Sequence, residues 1–262
     1  MRESLRETNR SRWQLREGGK GSFAFAPIFA KDGTNGKGIM HCNICGGTGF
    51  EAYRGRANER CTQCGSKARH RIALEVYEKL LFPLARPGAR LLHLAPEKFL
   101  HPLLKQHFGD GYVTADASPE RYPHADPVKL FLPEGFSLFP AGHFDAIIHN
   151  HVLEHIPGHY KDHLAGFAAW LKPGGMMILS VPGPYMERQT EEGGEHLSSD
   201  AERLERFLQE DHLKCFGADF VEHLKSMPGG RLLPDGITDE KRAELGVRSG
   251  KAPFFVWQRN RE

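Results

Sequence analysis

The sequence contains no apolar run that approaches the ~20 residues needed to span a bilayer. Its first segment, MRESLRETNRSRW, lacks the apolar core of a secretory signal. The segment is Arg-rich like a transit peptide, but Glu3, Glu7 and Glu17 argue against that interpretation. We therefore expect a soluble protein of the reducing cytoplasm, with no membrane partner. The 262 residues, 39% hydrophobic and 26% charged, suit one α/β domain with a small appendage.

Basic residues are concentrated in the first part of the chain, although the net charge is only +2. Residues 1–72 hold 14 Lys and Arg against 6 Asp and Glu, whereas the remainder carries an excess of acids. Residues 1–38 are also glycine-rich, which predicts a flexible basic arm. Two interpretations stay open: a solvated arm on a slightly acidic enzyme, or a contact for an anion or a nucleic acid.

Four of the five cysteines form two CxxC pairs with 15 residues between them, namely Cys42, Cys45, Cys61 and Cys64. This spacing matches a tetrahedral zinc site, and disulfides are disfavoured in a cytoplasm. Glycine follows the second cysteine of each pair, where the turns of a zinc knuckle need it. Because four thiolates leave no open coordination position, we predict a structural zinc module over residues 39–66. An iron–sulfur cluster and free thiols are the alternatives.

The segment from Phe144 to Pro182 has the pattern of a strand, a loop, a helix, a turn and a second strand. The apolar run over residues 146–148 predicts a buried strand. A helix is predicted over about 159–171, ended by a Pro-Gly-Gly turn, and the next strand over 176–181. Ligands bind at the carboxyl ends of strands in open parallel sheets, so we expect chemistry at the polar cluster after Ile148.

Two motifs in this segment, FDxIxxxxVLEH and LKPGG, resemble those of class I S-adenosylmethionine (SAM)-dependent methyltransferases. The loop APEK, residues 95–98, departs from the GxGxG of most members and resembles a subset with an LAPE-type first loop and an N-terminal four-cysteine zinc module. The resemblance covers about residues 40–260. It implies an α/β fold with a Rossmann-like sheet of seven strands and helices on both faces. It also implies SAM as the cofactor.

The predicted cofactor site starts at the loop after a strand over residues 90–94. Glu97 lies at the start of a helix predicted over 98–108, whose N-terminus can bind the methionine carboxylate. A second strand, predicted over 112–116, ends in Asp116 about 20 residues later, where an acid can hold ribose hydroxyls. Asp126 resembles the family's acid near the adenine amino group. The predicted cofactor residues are Ala95, Pro96, Glu97, Asp116, Ser118, Asp126, Asn150 and His151.

Candidate catalytic residues follow the strand that would face the methyl group. A general base is required only when the acceptor must lose a proton. His151, Glu154 and His155 are candidates, although the family's LEH motif often braces the loop, so a structural role stays open. His212 lies in a segment, DHLKCFG, that resembles a DHxRxFG-type motif of the same subset, and histidine titrates in the range that suits a base.

These patterns predict a methyltransferase domain over residues 67–262, with a helical insertion at about 183–230. The predicted reaction is methyl transfer from SAM to an oxygen or nitrogen of a small molecule, such as a sugar or natural-product intermediate. The first alternative is an RNA methyltransferase that presents RNA on the zinc module and the basic arm. Against it, the module offers few aromatic residues for base stacking, chiefly Phe50 and Tyr53. The second alternative is an inactive scaffold, suggested by the atypical first loop.

A final sheet strand is predicted over 253–258, at an antiparallel edge.

Overall fold

The computed structural model describes residues 40–247 and 253–262. The arm predicted over residues 1–38 lies outside the described residues. Within these ranges, no helix is both long and apolar enough to cross a membrane.

A seven-stranded sheet forms the centre of the fold, in the order β5-β4-β3-β6-β7-β9-β8. Its strands β3, β4, β5, β6 and β7 are parallel, and β9 runs antiparallel to both β7 and β8. The strands are β3 (Leu91–Leu94), β4 (Tyr112–Asp116), β5 (Val128–Lys129), β6 (Phe144–Asn150), β7 (Leu171–Ser180), β8 (Gly230–Leu233) and β9 (Phe255–Arg259). Every residue of β3 and β6 is buried, as expected for central parallel strands covered on both faces.

Helices cover both faces of the sheet, which confirms the predicted fold class. The α-helices are α1 (Ala68–Val76), α2 (His101–Phe108), α3 (Tyr160–Trp170), α4 (Asp200–Phe207), α5 (Ala218–Ser226) and α6 (Asp239–Glu244). Apolar side chains of α1 and α2 pack on one face in a core with Leu91 and Ile148. Those of α3 and α5 pack on the other face with Leu92 and Ile147. Adjacent residues of a strand therefore pack into the cores on opposite faces of the sheet, because side chains alternate along a pleated strand.

A two-stranded antiparallel sheet precedes α1 and consists of β1 (Phe50–Tyr53) and β2 (Arg56–Cys61). The helix predicted from Ser66 begins as α1 and continues as a π-helical turn, Tyr77–Leu81. Lys67, not Ser66, occupies the N-cap position, because the Ser66 hydroxyl is engaged by Cys42 and Cys64.

Two predictions about the sheet and its helices are wrong. The final strand β9 is not at the edge, because β8 pairs with its outer side. The helix predicted over residues 98–108 begins only at His101, since residues 98–100 form a turn that is closed by backbone bonds to the Glu97 carbonyl. Glu97 therefore lies in the loop, three residues before the helix N-cap Leu100.

Candidate functional site

The four predicted zinc ligands converge. Their Sγ atoms all lie within 4.8 Å of one another, with 3.8 Å between Cys42 and Cys64 and 3.7 Å between Cys45 and Cys61. A tetrahedral ion with Zn–S bonds of about 2.3 Å places its sulfur atoms about 3.8 Å apart. All four are free thiols, and the arrangement of sulfur atoms fits a Zn²⁺ ion.

Two equivalent turns hold the thiols. The amide of Gly46 donates to the Cys42 carbonyl at 2.7 Å, and that of Gly65 donates to the Cys61 carbonyl at 2.8 Å. Both glycines are left-handed, with φ of 76° and 78°, a conformation that side chains disfavour. The glycines of the sequence motif are therefore required by the turns.

Arg71 joins the cysteine module to the rest of the fold. Its fully buried guanidinium donates to the carbonyls of Asn58, Glu59 and Ser66, and also to that of Leu245 near the other end of the described chain. It also lies over the Phe50 ring, at 4.8 Å from the centroid. The module and α1 are thus rigidly connected through one side chain.

The carboxyl ends of β3, β4 and β6 lie side by side. Leu94 is in register with Ala115 on one side and with His149 on the other. The chain leaves β3 at Ala95, whose amide donates to the Ala115 carbonyl at 3.1 Å and whose φ is 50°. Most members of the family that this sequence resembles carry glycines in this loop, whereas here the loop begins with a left-handed alanine. Its small side chain leaves the backbone accessible here.

Glu97 is the centre of a polar network beneath this loop. Its Oε2 lies 2.5 Å from His93 Nε2, and its Oε1 accepts a hydrogen bond from Asn150 at 3.1 Å. Asn150 also donates to the Tyr77 hydroxyl at 2.7 Å and accepts from Ser180 at 3.1 Å. The carboxyl ends of β3 and β6 therefore carry a connected set of hydrogen-bonding groups, called the cleft network below.

The carboxylate of this network is ionised at neutral pH. Burial raises the pKa of the Glu97 carboxyl, but His93, His70 and Asn150 outweigh that effect and hold the pKa at about 2. The Glu97 side chain keeps 15% of its surface exposed, so a ligand can reach it. Burial lowers the pKa of the neighbouring His70 to about 3, so this ring is neutral.

Three of the remaining predicted cofactor residues lie at the end of β4 and in the loop that follows it. Asp116 ends β4, and its Oδ1 accepts a bond from the amide of Ser118 at 2.8 Å. Burial, and then Asp116, raise the pKa of Tyr122 to about 12. His124 Nε2 lies 2.9 Å from the Pro96 carbonyl, which connects the loop around residue 124 to the first loop. Asp126 follows in that loop, exposed and with φ of 44°.

Glu154, His155 and His212 also converge, although 58 positions separate the first from the last. One ligating atom of each lies within 4.8 Å of those of the other two. The amide of Leu213 donates to the Glu154 carbonyl at 2.8 Å and holds the two segments together. His151 Nδ1 lies 3.3 Å from Glu154 Oε1. All four predicted catalytic residues therefore meet beyond the end of β6.

Sequence reasoning missed several members of the cleft network. His93 was visible as the one polar residue in the strand LLHL. Tyr77 and Ser180 gave no signal, because Tyr77 reads as a core residue of an apolar helix and Ser180 as the end of a buried strand. Within the described ranges, the chemistry of the cleft thus includes partners whose roles only the packing reveals.

Residues 36–225 match the model of a family described as "Methyltransferase domain". No curated protein matches the chain. A SAM-dependent methyltransferase from Archaeoglobus fulgidus superposes with a TM-score of 0.49 and 12% identity, covering 73% of this chain and 94% of that one. A 1,6-didemethyltoxoflavin-N1-methyltransferase from Burkholderia thailandensis, solved with its substrate and S-adenosylhomocysteine, gives 0.44 and 12%, covering 74% and 78%. These likenesses are low, so the assignment rests on the family match. The chain belongs to the methyltransferase domain family.

Proposed function

We propose that the protein transfers the methyl group of SAM to an oxygen or nitrogen of a small-molecule acceptor, in a cleft at the carboxyl ends of β3, β4 and β6. The observation that carries the proposal is the convergence of Ala95, Asp116 and Asn150 around the ionised Glu97. In open α/β sheets this edge is where ligands bind. When bound, the cofactor supplies a methyl group already activated on a sulfonium.

Each side of the cleft offers chemistry that suits one part of this cofactor. Asp116 would accept hydrogen bonds from the ribose hydroxyls, because its carboxylate stands at the end of β4, where ligands bind in open α/β sheets. Ala95 and Pro96 would allow close approach of the methionine portion. The anionic Glu97 suits a cationic group of the cofactor rather than its carboxylate, which revises the prediction made from a helix N-terminus. Asp126 and His151 would border the adenine and the methyl group, respectively.

Positioning is expected to supply most of the acceleration. The sulfonium needs no further activation, so an acceptor held in line with the methyl group gains most from orientation and from exclusion of water. His151, Glu154, His155 and His212 would contact the acceptor from beyond β6. A histidine among them would take the acceptor proton where the acceptor has one to lose.

The cysteine module is proposed to hold a structural zinc ion. The sulfur–sulfur distances fit a tetrahedron filled by Cys42, Cys45, Cys61 and Cys64, so no coordination position is left for a substrate. The role of the ion would be to close the module, whose buried contacts with Arg71 stabilise α1.

A small acceptor is favoured over RNA by the state of the module's aromatic rings. Phe50 is covered by Arg71, at 4.8 Å, and Tyr53 lies under Lys67, at 4.7 Å. Rings that are occupied by cations of the same chain are poor platforms for base stacking. An RNA methyltransferase would therefore have to rely on phosphate contacts, and its binding would depend steeply on salt.

Calorimetric titration of the zinc-loaded, full-length protein with SAM and S-adenosylhomocysteine tests the proposal. Micromolar binding of both would support the cleft as the cofactor site. No binding to a folded sample would favour the inactive scaffold. Transfer of labelled methyl groups to pooled small molecules and to bulk RNA then separates the two acceptor classes, since methylation of RNA alone would contradict the small-molecule assignment.

A further inference from the structure

The loop after β6 contains a buried carboxylate that lacks a compensating donor. Glu154 is fully buried, and among the residues that the structure describes neither of its carboxylate oxygens has a hydrogen-bond partner. His151 Nδ1 is 3.3 Å away and His155 Nε2 is 4.0 Å away, both without hydrogen-bond geometry. Lys214 lies close enough to interact electrostatically, but its ammonium donates to the carbonyl of Ile156. A buried anion in this state needs a cation.

Two histidines next to Glu154 each keep one ring nitrogen free to accept. His155 Nδ1 lies 2.8 Å from the carbonyl of Asp211, and His212 Nδ1 lies 3.1 Å from the carbonyl of Phe207. A ring nitrogen next to a carbonyl carries the proton, so in each neutral ring Nε2 is left as an acceptor. Metal-binding histidines are fixed in this way by a bond from the other ring nitrogen to a carbonyl or carboxylate.

From these contacts we propose that Glu154, His155 and His212 bind a divalent transition-metal ion of the zinc class, distinct from the cysteine site. Two imidazoles and one carboxylate suit such an ion better than Mg²⁺ or Ca²⁺, which prefer oxygen ligands. A tetrahedral ion with ligand bonds of about 2.1 Å separates its ligands by about 3.4 Å. The cluster, now within 4.8 Å, closes to that spacing by rotation of His155, whose side chain is 35% exposed.

Three protein ligands leave at least one coordination position open, as in catalytic metal sites. His151, which lies next to Glu154, directly follows Asn150 of the cleft network, so the metal site would lie beside the region assigned to the acceptor. An oxygen or nitrogen of the acceptor bound there would have a lowered pKa. This last step rests on the proposed methyl transfer, whereas the metal site itself does not.

Cobalt binding tests the site without an activity assay. The full-length protein, loaded with one equivalent of Zn²⁺ so that only the cysteine site is filled, is dialysed against Co²⁺, which binds more weakly than Zn²⁺ and does not displace zinc from thiolates. We expect one added Co²⁺ for each chain, with a visible spectrum that lacks thiolate charge-transfer bands. No added Co²⁺, or a spectrum of thiolate type, would overturn the proposal.

Glu154→Gln is the decisive variant, because it keeps the shape and removes the charge. We expect its Co²⁺ affinity to fall by more than the roughly 10- to 100-fold that loss of an outer-shell partner costs. The matched control is His196→Ala, which changes an exposed histidine of the insertion that also carries His212. This variant should bind Co²⁺ as wild type does. If Glu154→Gln fails to fold, His155→Ala replaces it. Equal Co²⁺ binding in the variant and the wild type would overturn the site.

The same variant separates this inference from the proposed function. Glu154→Gln should bind S-adenosylhomocysteine as wild type does, because Glu154 is not among the groups that line the cofactor cleft. Loss of cobalt binding with intact cofactor binding supports both assignments. Intact cobalt binding in the variant refutes the metal site and leaves the methyltransferase assignment in place.

Discussion

The Glu97 carboxylate is the charged centre of the cleft network, and its replacement by Gln measures what that network contributes to stability. A pKa of about 2, against an ordinary value near 4.5, sets an upper limit of about 3 kcal/mol on the native-state stabilisation at pH 7, because the His70 charge that contributes to the shift is absent from the neutral ring at that pH. Because the pKa is lowered, this contribution is complete above about pH 4.5 and is lost as the pH falls through 2. Glu97→Gln keeps one amide hydrogen bond, so we expect a loss of about 2–3 kcal/mol in the free energy of unfolding.

Urea unfolding of the zinc-loaded protein at pH 7 and at pH 5.5 provides the assay. Glu97 is ionised at both pH values, so a clear loss is expected at each. The exposed Glu120→Gln serves as the control and should change stability by less than about 0.5 kcal/mol. A similarly small change in Glu97→Gln would refute the idea that His93 and Asn150 stabilise the carboxylate. Titration with S-adenosylhomocysteine of the folded variant then tests the contact with the cofactor separately.

Three further predictions concern the ribose site, the zinc ligands and the buried histidines. Asp116→Ala should weaken SAM binding by roughly 1–3 kcal/mol in calorimetry, because hydrogen bonds to a charged group are lost; unchanged affinity would contradict the ribose assignment. Cys61→Ser should release zinc and lower the unfolding midpoint, measured by metal analysis and urea unfolding, and a fully stable metal-free variant would contradict a structural role. Burial lowers the pKa of His70 and His149 to about 3 and that of His163 to about 4, so only the unfolded chain takes up these protons as the pH falls below 6.5. These three histidines should therefore lower the free energy of unfolding by about 4 kcal/mol per pH unit between pH 5.5 and 4.5. His149→Phe should reduce that slope by about 1.4 kcal/mol per pH unit, measured by urea unfolding at a series of pH values. An unchanged slope would count against a neutral His149.

The sequence predicted the parts of the sheet that are buried on both sides. The apolar run after Phe144 and the acid that ends β4 are local signals, because a strand and its end can be recognised from adjacent residues in the sequence. The strand β8 was missed because Gly230–Leu233 is only half-buried and begins where the predicted helical insertion ends. Without β8, the strand β9 was placed at the edge.

The candidate site was predicted in part for a related reason. The regular spacing of the four cysteines predicts that they share one site, and their sulfur atoms do lie close together. Glu154 and His212 were proposed separately, and nothing in a linear pattern places them together. Hydrogen bonds that join their two segments do so, among them the bond from the Leu213 amide to the Glu154 carbonyl. The late start of α2 depended on a turn closed by the Glu97 carbonyl, which propensity does not encode.

The contacts of Arg71 have a consequence for how the protein is made. During synthesis the cysteine module emerges from the ribosome long before Leu245, whose carbonyl is one of the four that the buried guanidinium contacts. Chains tend to fold from the amino end as they are made. The module can close early, but Arg71 has its full set of partners only after Leu245, 174 positions later, has been translated. Completion of the contacts around the module thus waits for a segment that is made much later.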